Sequence, residues 1–232
     1  MLIGGLQKNS FIDFPGRISC VLFLSGCNFH CPYCHNPELT RRIPADESPL
    51  TPDQFYAFLE ARRSLLDGVV ISGGEPTLQA DLPAVCAAVK NLGFPVKLDT
   101  NGSRPHVLRH LVAEGLVDYV AMDIKTDPRH YAPVFQSDTG PETLKESIRI
   151  IMDSAPAYEF RTTCARPIID EAVIGVIARS IEGADRYVLQ SFQSQRLLTP
   201  SFFQLAEPAF TSAQMHRLKT VAQRWVKHCT VR

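Results

Sequence analysis

Long apolar runs are missing from this chain of 232 residues. No stretch approaches the roughly 20 consecutive apolar residues that a membrane-spanning helix needs. Charge of one sign is missing too, because 24 Lys and Arg cancel 24 Asp and Glu. Non-specific nucleic-acid affinity grows with the number of phosphates neutralised, so a protein that works mainly by wrapping a polyanion is excluded, a local basic patch aside. The N-terminus, MLIGGLQKNSFIDF, lacks a basic start followed by an apolar core, so no secretory leader is expected. Low-complexity tracts, solenoid-length repeats and Gly/Ser/Pro linkers are also lacking. What remains is 45% hydrophobic residues in a length able to bury one substantial core. The expectation is a single cytoplasmic domain over residues 1–232, with neither membrane nor nucleic acid as partner.

Seven cysteines are present, at 20, 27, 31, 34, 86, 164 and 229. An odd count without a leader argues against a disulfide framework. Three of them form Cys27-x3-Cys31-x2-Cys34, a spacing that chance would give on the order of 0.006 times in such a chain, so the cluster needs its own explanation. Cys86 and Cys164 sit among apolar neighbours and read as inert core residues.

Short β-rich runs alternate with helical periodicity. Strands are expected at 19–25, 68–72, 95–99, 117–123, 158–163 and 186–191. Most are near-continuous apolar runs, as in parallel strands covered on both faces. Between them lie apolar stripes at helical spacing, such as Leu82, Val85, Cys86 and Val89, or Val173, Ile177 and Ile181. Thr51, Pro52 and Gln54 mark one helix start by a capping box, and Gly140-Pro141 marks another. A last amphipathic helix is expected at about 211–228. Six strand–helix units fall short of the ~250 residues of a full eight-stranded barrel. The predicted fold is α/β: a partial (β/α)6 barrel of parallel strands with outer helices, with a doubly wound open sheet as the competing architecture.

Unusual polar elements follow each predicted strand. They are the cysteine loop at 26–37, Gly73-Gly74-Glu75-Pro76, Asp99-Thr100-Asn101-Gly102, Asp123-Ile124-Lys125, Arg161 with Thr163, and Gln190 with Gln193. Loops at the C-terminal strand edge of α/β folds converge to form sites, so these six point to one large pocket.

Pro32 and Pro37 make a compact loop of the cysteine segment rather than a helix. Such a loop can wrap three thiolates around three irons of a cubane [4Fe–4S] cluster, which usually takes four cysteines. The fourth iron would then be open to a substrate or cofactor. A Cys3His zinc site using His30 or His35, and a redox thiol site, are the alternatives. Zinc is disfavoured because its ligand pairs are usually separated by a longer loop.

The loop GCNFHCPYCHNPEL resembles the CxxxCxΦC signature of the radical S-adenosylmethionine (SAM) superfamily, with Tyr33 in the aromatic position. GGEP after the next strand resembles that superfamily's SAM-binding segment. The resemblance runs from FIDFPGR at 11–17 to the sixth strand. It is closest to the activating enzymes of glycyl-radical enzymes, and within these to the activators of anaerobic ribonucleoside-triphosphate reductase. It implies that Cys27, Cys31 and Cys34 ligate the cluster, while the open iron chelates the methionine end of SAM. An electron from the cluster would then give methionine and a 5′-deoxyadenosyl radical.

Further roles follow by position in the family. Tyr33 and His35 would lie beside the adenine; Gly73 and Gly74 would let the backbone approach SAM, and Glu75 would fix that segment near the SAM ammonium. Asp123 and Lys125 resemble the activases' D-x-K element, which meets the methionine zwitterion and the ribose. Asp99 and Thr100 match a loop that can hold a monovalent cation near SAM, with a turn role as the plain reading of Asp99. Arg161 is placed to meet a carboxylate. Gln193 stands where pyruvate formate-lyase activators carry a histidine, which disfavours that partner. The leading expectation is an activase that takes its electron from flavodoxin or ferredoxin and makes a glycyl radical on anaerobic ribonucleotide reductase. The alternatives are a small-molecule enzyme similar to 7-carboxy-7-deazaguanine synthase and a non-enzymatic iron–sulfur electron carrier.

Overall fold

The computed structural model describes residues 1–194, 197–204 and 207–232. Its strands form one eight-stranded sheet in chain order: β1 (Ile3–Ser10), β2 (Ser19–Leu24), β3 (Gly68–Gly73), β4 (Val96–Thr100), β5 (Tyr119–Asp123), β6 (Tyr158–Cys164), β7 (Arg186–Ser191) and β8 (His228–Val231). β1 runs antiparallel to β2, and every other neighbouring pair is parallel. The edge strands β1 and β8 do not pair with each other, so the sheet is open.

Between the strands lie α1 (Pro52–Ala61), α2 (Leu82–Asn91), α3 (Pro105–Ala113), the short α4 (Tyr131–Phe135), α5 (Pro141–Ser154), α6 (Glu171–Ser180) and α7 (Ser212–Ala222). The capping box of Thr51 and Gln54 starts α1, and Gly140 with Pro141 starts α5. Side chains alternate across a strand, so each strand has a helix-facing set and an opposite set. Leu22, Ile71, Leu98, Val120, Phe160 and Leu189 join all seven helices in one apolar cluster. The opposite face has only a small cluster, Val21, Val70, Tyr119 and Ala121, capped by Phe14. A doubly wound sheet would carry helices on both faces. Here the described helices pack on one, as the α/β barrel-type reading requires.

Two details differ from the expectation. Among the described residues there are eight strands rather than six, because β1 and β8 flank the six that were read from apolar runs. The last helix also stops at Ala222 rather than near 228. Lys227 N donates to Ala184 O at 2.9 Å, and the chain enters β8 one residue later.

Candidate functional site

The C-terminal ends of the strands surround a cavity of about 320 Å³. Its lining includes Cys27, Cys31, Cys34, Tyr33, His35, Gly73, Gly74, Glu75, Asp99, Thr100, Asp123, Lys125 and Arg161, drawn from five loops and strand ends. The six polar elements therefore converge as the fold rule demands.

The cysteine loop is held by backbone bonds at both ends. Gly26 N donates to Leu39 O at 2.8 Å, Cys27 N to Thr40 O at 2.9 Å, and Glu75 N to Gly26 O at 2.8 Å. In the middle, His30 N donates to Phe135 O at 2.9 Å. Phe29 meets Tyr131 edge-on at 5.7 Å, and Tyr33 meets Phe135 at 6.0 Å, so α4 is a backing plate for the loop. Asn28 ties the loop to the next: its Nδ2 donates to Ser103 Oγ, and its Oδ1 accepts from Asn101 Nδ2, both at 3.0 Å.

Gly73 and Gly74 line the cavity, and the structure gives their lack of a side chain a cause within the protein. A Cβ on Gly73, whose φ is +117°, would lie 2.2 Å from Leu24 O; on Gly74 it would lie 2.2 Å from Gly26 O. The glycines let the β3 loop seat against the cysteine loop. Glu75 is also a structural pin. Its Oε1 accepts from Thr77 N (3.1 Å), Thr77 Oγ1 (2.5 Å) and Thr100 Oγ1 (2.8 Å), and its Oε2 from Asn101 N (2.6 Å). Burial pushes its carboxyl above the usual range, and these four donors only partly offset that.

The charges form a chain across the strand ends. Arg161 bridges two carboxylates, with Nε 2.8 Å from Asp123 Oδ1 and Nη1 3.3 Å from Asp99 Oδ1. Lys125 Nζ lies 3.3 Å from Asp123 Oδ2, while its backbone N donates to Tyr131 Oη at 2.7 Å. Burial alone would raise the Asp123 carboxyl, but Arg161 and Lys125 outweigh it and hold it at about 2. For Asp99, burial is likewise outweighed by Arg161 and Lys97, leaving the carboxyl below its ordinary value. Arg161 does meet carboxylates, but they are the protein's own.

The structure gathers all the sequence-predicted residues on the cavity except Gln193. That residue is exposed in the loop after β7, while Gln190, within β7, lines the cavity. The two differ because residues 186–191 obey strand alternation and Gln193 lies beyond it. His30 and His35 are both exposed, and His35 reaches the cavity edge. Sequence reasoning missed Asp13, which lines the cavity from the loop after β1; Ser72, whose Oγ donates to Asp99 Oδ2 at 3.0 Å; and Lys97. Lys97 had a readable signal, a lysine inside the apolar run PVKLD.

Three cysteine side chains lining one cavity suit a cluster with three protein ligands. All seven cysteines are free thiols. The three cysteines fall within eight residues, whereas zinc ligand pairs are usually separated by a longer loop, so the spacing suits the polynuclear reading better than zinc. Burial raises the Cys27 and Cys31 thiols to about 11 and about 12, and it raises Cys34 as well; Lys125 pulls all three back toward thiolate. Cluster binding would therefore release protons here. Tyr33 is buried, and its hydroxyl has no partner among the described residues. An unpaired buried hydroxyl costs about 1–3 kcal/mol, which a ligand's polar edge would relieve. The residues present fit both a cluster and a polar organic cofactor.

Comparison with known proteins agrees with this geometry. Residues 21–164 match the radical SAM superfamily. A protein of Methanocaldococcus jannaschii described as "Putative glycyl-radical enzyme activating enzyme" is 33% identical across 100% of this chain and 95% of its own length. The pyruvate formate-lyase-activating enzyme of Streptococcus mutans is 31% identical over 53% of this chain and 50% of that protein. The crystal structure of Streptococcus suis SuiB bound to S-adenosylmethionine superposes with a TM-score of 0.67 at 15% identity, covering 89% of this chain and 48% of SuiB, a likeness of fold. Family membership implies a [4Fe–4S] cluster and SAM as cofactors. The chain belongs to the radical SAM superfamily, in the group of the glycyl-radical enzyme activating enzymes.

Proposed function

We propose that this protein installs a glycyl radical on a partner enzyme, and that the partner is anaerobic ribonucleoside-triphosphate reductase. The observation that carries a macromolecular partner is the loop after β1. Phe11 and Ile12 are 75% and 81% exposed, immediately before Asp13, which lines the cofactor cavity. Apolar side chains at the edge of a site suit docking of a protein segment better than admission of a small polar metabolite. The similarity to activating enzymes supports the same reading.

In this reading Cys27, Cys31 and Cys34 hold the cluster and leave one iron without a protein ligand. Bound there, the cluster would supply the electron for reductive SAM cleavage, the radical chemistry that lets an activase take a hydrogen atom from a partner's glycine. Tyr33 and His35 flank the adenine. Gly73, Gly74 and Glu75 shape the wall beside the SAM ammonium. Lys125 and Asp123 orient the methionine and ribose ends. Asp99 and Thr100 form the floor, with Arg161 fixing Asp99 and Asp123 relative to each other. Gln190 takes the place first expected of Gln193. Flavodoxin or ferredoxin would reduce the cluster.

The test is anaerobic incubation of reconstituted protein with dithionite, SAM and the reductase. A glycyl-radical signal in the electron paramagnetic resonance spectrum of the reductase supports the proposal. SAM cleavage coupled instead to a purine-like substrate would replace it with the small-molecule reading, and absence of SAM binding would leave an electron carrier. Cys31→Ala should abolish SAM cleavage; wild-type turnover in that variant would overturn the ligand assignment.

A further inference from the structure

The loop containing Asp99 and Thr100 resembles one that can hold a monovalent cation. The observed contacts give these groups cationic and hydrogen-bonding partners within the protein itself. Asp99 Oδ1 is hydrogen-bonded to the ammonium of Lys97 and lies 3.3 Å from Arg161, and Oδ2 accepts from Ser72 at 3.0 Å. Both oxygens of Asp123 face cations, Arg161 at 2.8 Å and Lys125 at 3.3 Å. Thr100 Oγ1 donates to Glu75 at 2.8 Å and accepts from Gly102 N at 3.1 Å. A metal ion on Asp99 Oδ1 or on either oxygen of Asp123 would compete with a cation already attached there.

Lys97 is the unusual member of this set. It lies mid-strand in β4, one alternation below Asp99 and beneath the cavity floor, and its side chain is 1% exposed. Its other neighbour is the ring of Tyr119, its register partner on β5, 5.9 Å from the ammonium. A buried ammonium is costly unless paired, and Asp99 is the pair. Formal charges give the same result. Asp99, Asp123, Arg161 and Lys125 sum to zero, and Lys97 makes the group +1, the increment a monovalent metal ion would bring.

We propose that the ammonium of Lys97 is a built-in replacement for the monovalent cation, a positioning residue that holds Asp99 from beneath so that SAM binds independently of K⁺ or Na⁺. This rests on the reading of the cavity as the SAM site, and the experiment separates the two. SAM affinity of the reconstituted protein is measured by equilibrium dialysis in KCl, NaCl and choline chloride at one ionic strength. The wild type should bind SAM equally in all three salts. Lys97→Met, similar in length but uncharged, should lose affinity on the order of tenfold in choline and recover it in KCl or NaCl. Lys97→Arg should restore salt-independent binding, which a purely structural lysine would not predict. Cluster iron content should be unchanged in both variants.

A wild type that binds SAM severalfold tighter in KCl or NaCl than in choline would overturn the inference, whether or not the variants fold. A folded Lys97→Met that loses affinity equally in all salts would also overturn it. Absence of SAM binding by the wild type in every salt would overturn the reading of the site itself, and the inference with it.

Discussion

Replacing Gly74 by alanine places a methyl group 2.2 Å from Gly26 O, 2.7 Å from Gly26 C and 2.7 Å from Leu39 O. All three atoms are backbone, so no side chain can swing away. The cysteine loop must retreat by about 1 Å to restore van der Waals contact. That retreat strains two bonds at the loop's entrance, Glu75 N to Gly26 O and Gly26 N to Leu39 O, each 2.8 Å. Overpacking with partial loss of two buried backbone bonds costs about 2–4 kcal/mol, or about 5–15 °C in melting temperature for a chain of this size. Cys27 follows Gly26 directly, so the same shift displaces one of the three proposed cluster ligands. The assay is thermal unfolding of the apo protein together with iron and sulfide content after anaerobic reconstitution. Gly5→Ala serves as the control, since its methyl would meet only Phe23 Cδ2 at an ordinary 3.9 Å. A Gly74→Ala protein with normal melting and full iron, but weakened SAM binding, would refute this account and return the glycine to a ligand-contact role.

Lys125→Ala should weaken SAM binding on the order of tenfold while leaving iron content unchanged; Asp123 stays paired to Arg161 at 2.8 Å, so no buried carboxylate is stranded. Loss of iron would show that Lys125 supports the cysteine loop instead. The Asp123 carboxyl is held at about 2, below its unfolded value of about 3.9. Its contribution to stability is therefore full above about pH 4 and is lost as pH falls toward 2. After discount for partial exposure that contribution is on the order of 1–2 kcal/mol. Asp123→Asn should flatten the urea midpoint over that interval, and an unchanged slope would contradict the pairing. In the native apo protein, iodoacetamide should modify Cys27 and Cys34, which are half-buried, before Cys20, Cys86 and Cys164, which are buried with thiols at about 12. Mass spectrometry showing Cys20 or Cys86 labelled first would be incompatible with the fold.

The parts legible in the sequence are those whose physics is local. The strands β2–β7 announce themselves because parallel strands are apolar on both faces. β1, IGGLQKNS, is an edge strand with an exposed middle and two glycines, so it has no such signature. β8, HCTV, has four residues and follows a helical stripe whose spacing runs on to Trp225. Trp225 instead closes a turn after α7, its N donating to Ala222 O and its O accepting from Gly183 N. In the site, the cysteine spacing and the strand-end polar residues were readable, since each is a short continuous motif. The reason for Gly73 and Gly74 was not, because the atoms that exclude a side chain lie about 50 residues earlier in the chain. Lys97 is of the same kind: its partner is near in sequence, but its burial depends on which face of β4 turns inward.

A cluster site can be organised by its metal or before it. In small zinc modules the ligand loops order only on binding, so metal affinity and folding are one free energy. The cysteine loop here belongs to the other class. Bonds from Gly26, Cys27 and His30 to Leu39, Thr40 and Phe135 are backbone contacts that need no metal, and the Phe29, Tyr33, Tyr131 and Phe135 rings brace the loop from behind. None of these groups is a metal ligand. The fold thus fixes where three thiols stand, and Lys125 and the Asp99–Arg161–Asp123 chain fix the charge around them. Under the proposed ligation by Cys27, Cys31 and Cys34, preorganisation of this kind would keep one corner of the site free of protein. Of the nearest substitutes in sequence, His30 is exposed and outside the cavity lining, while His35 is exposed at the cavity edge. In the proposed reading, a loop braced in this way would leave a three-cysteine site open to a cofactor.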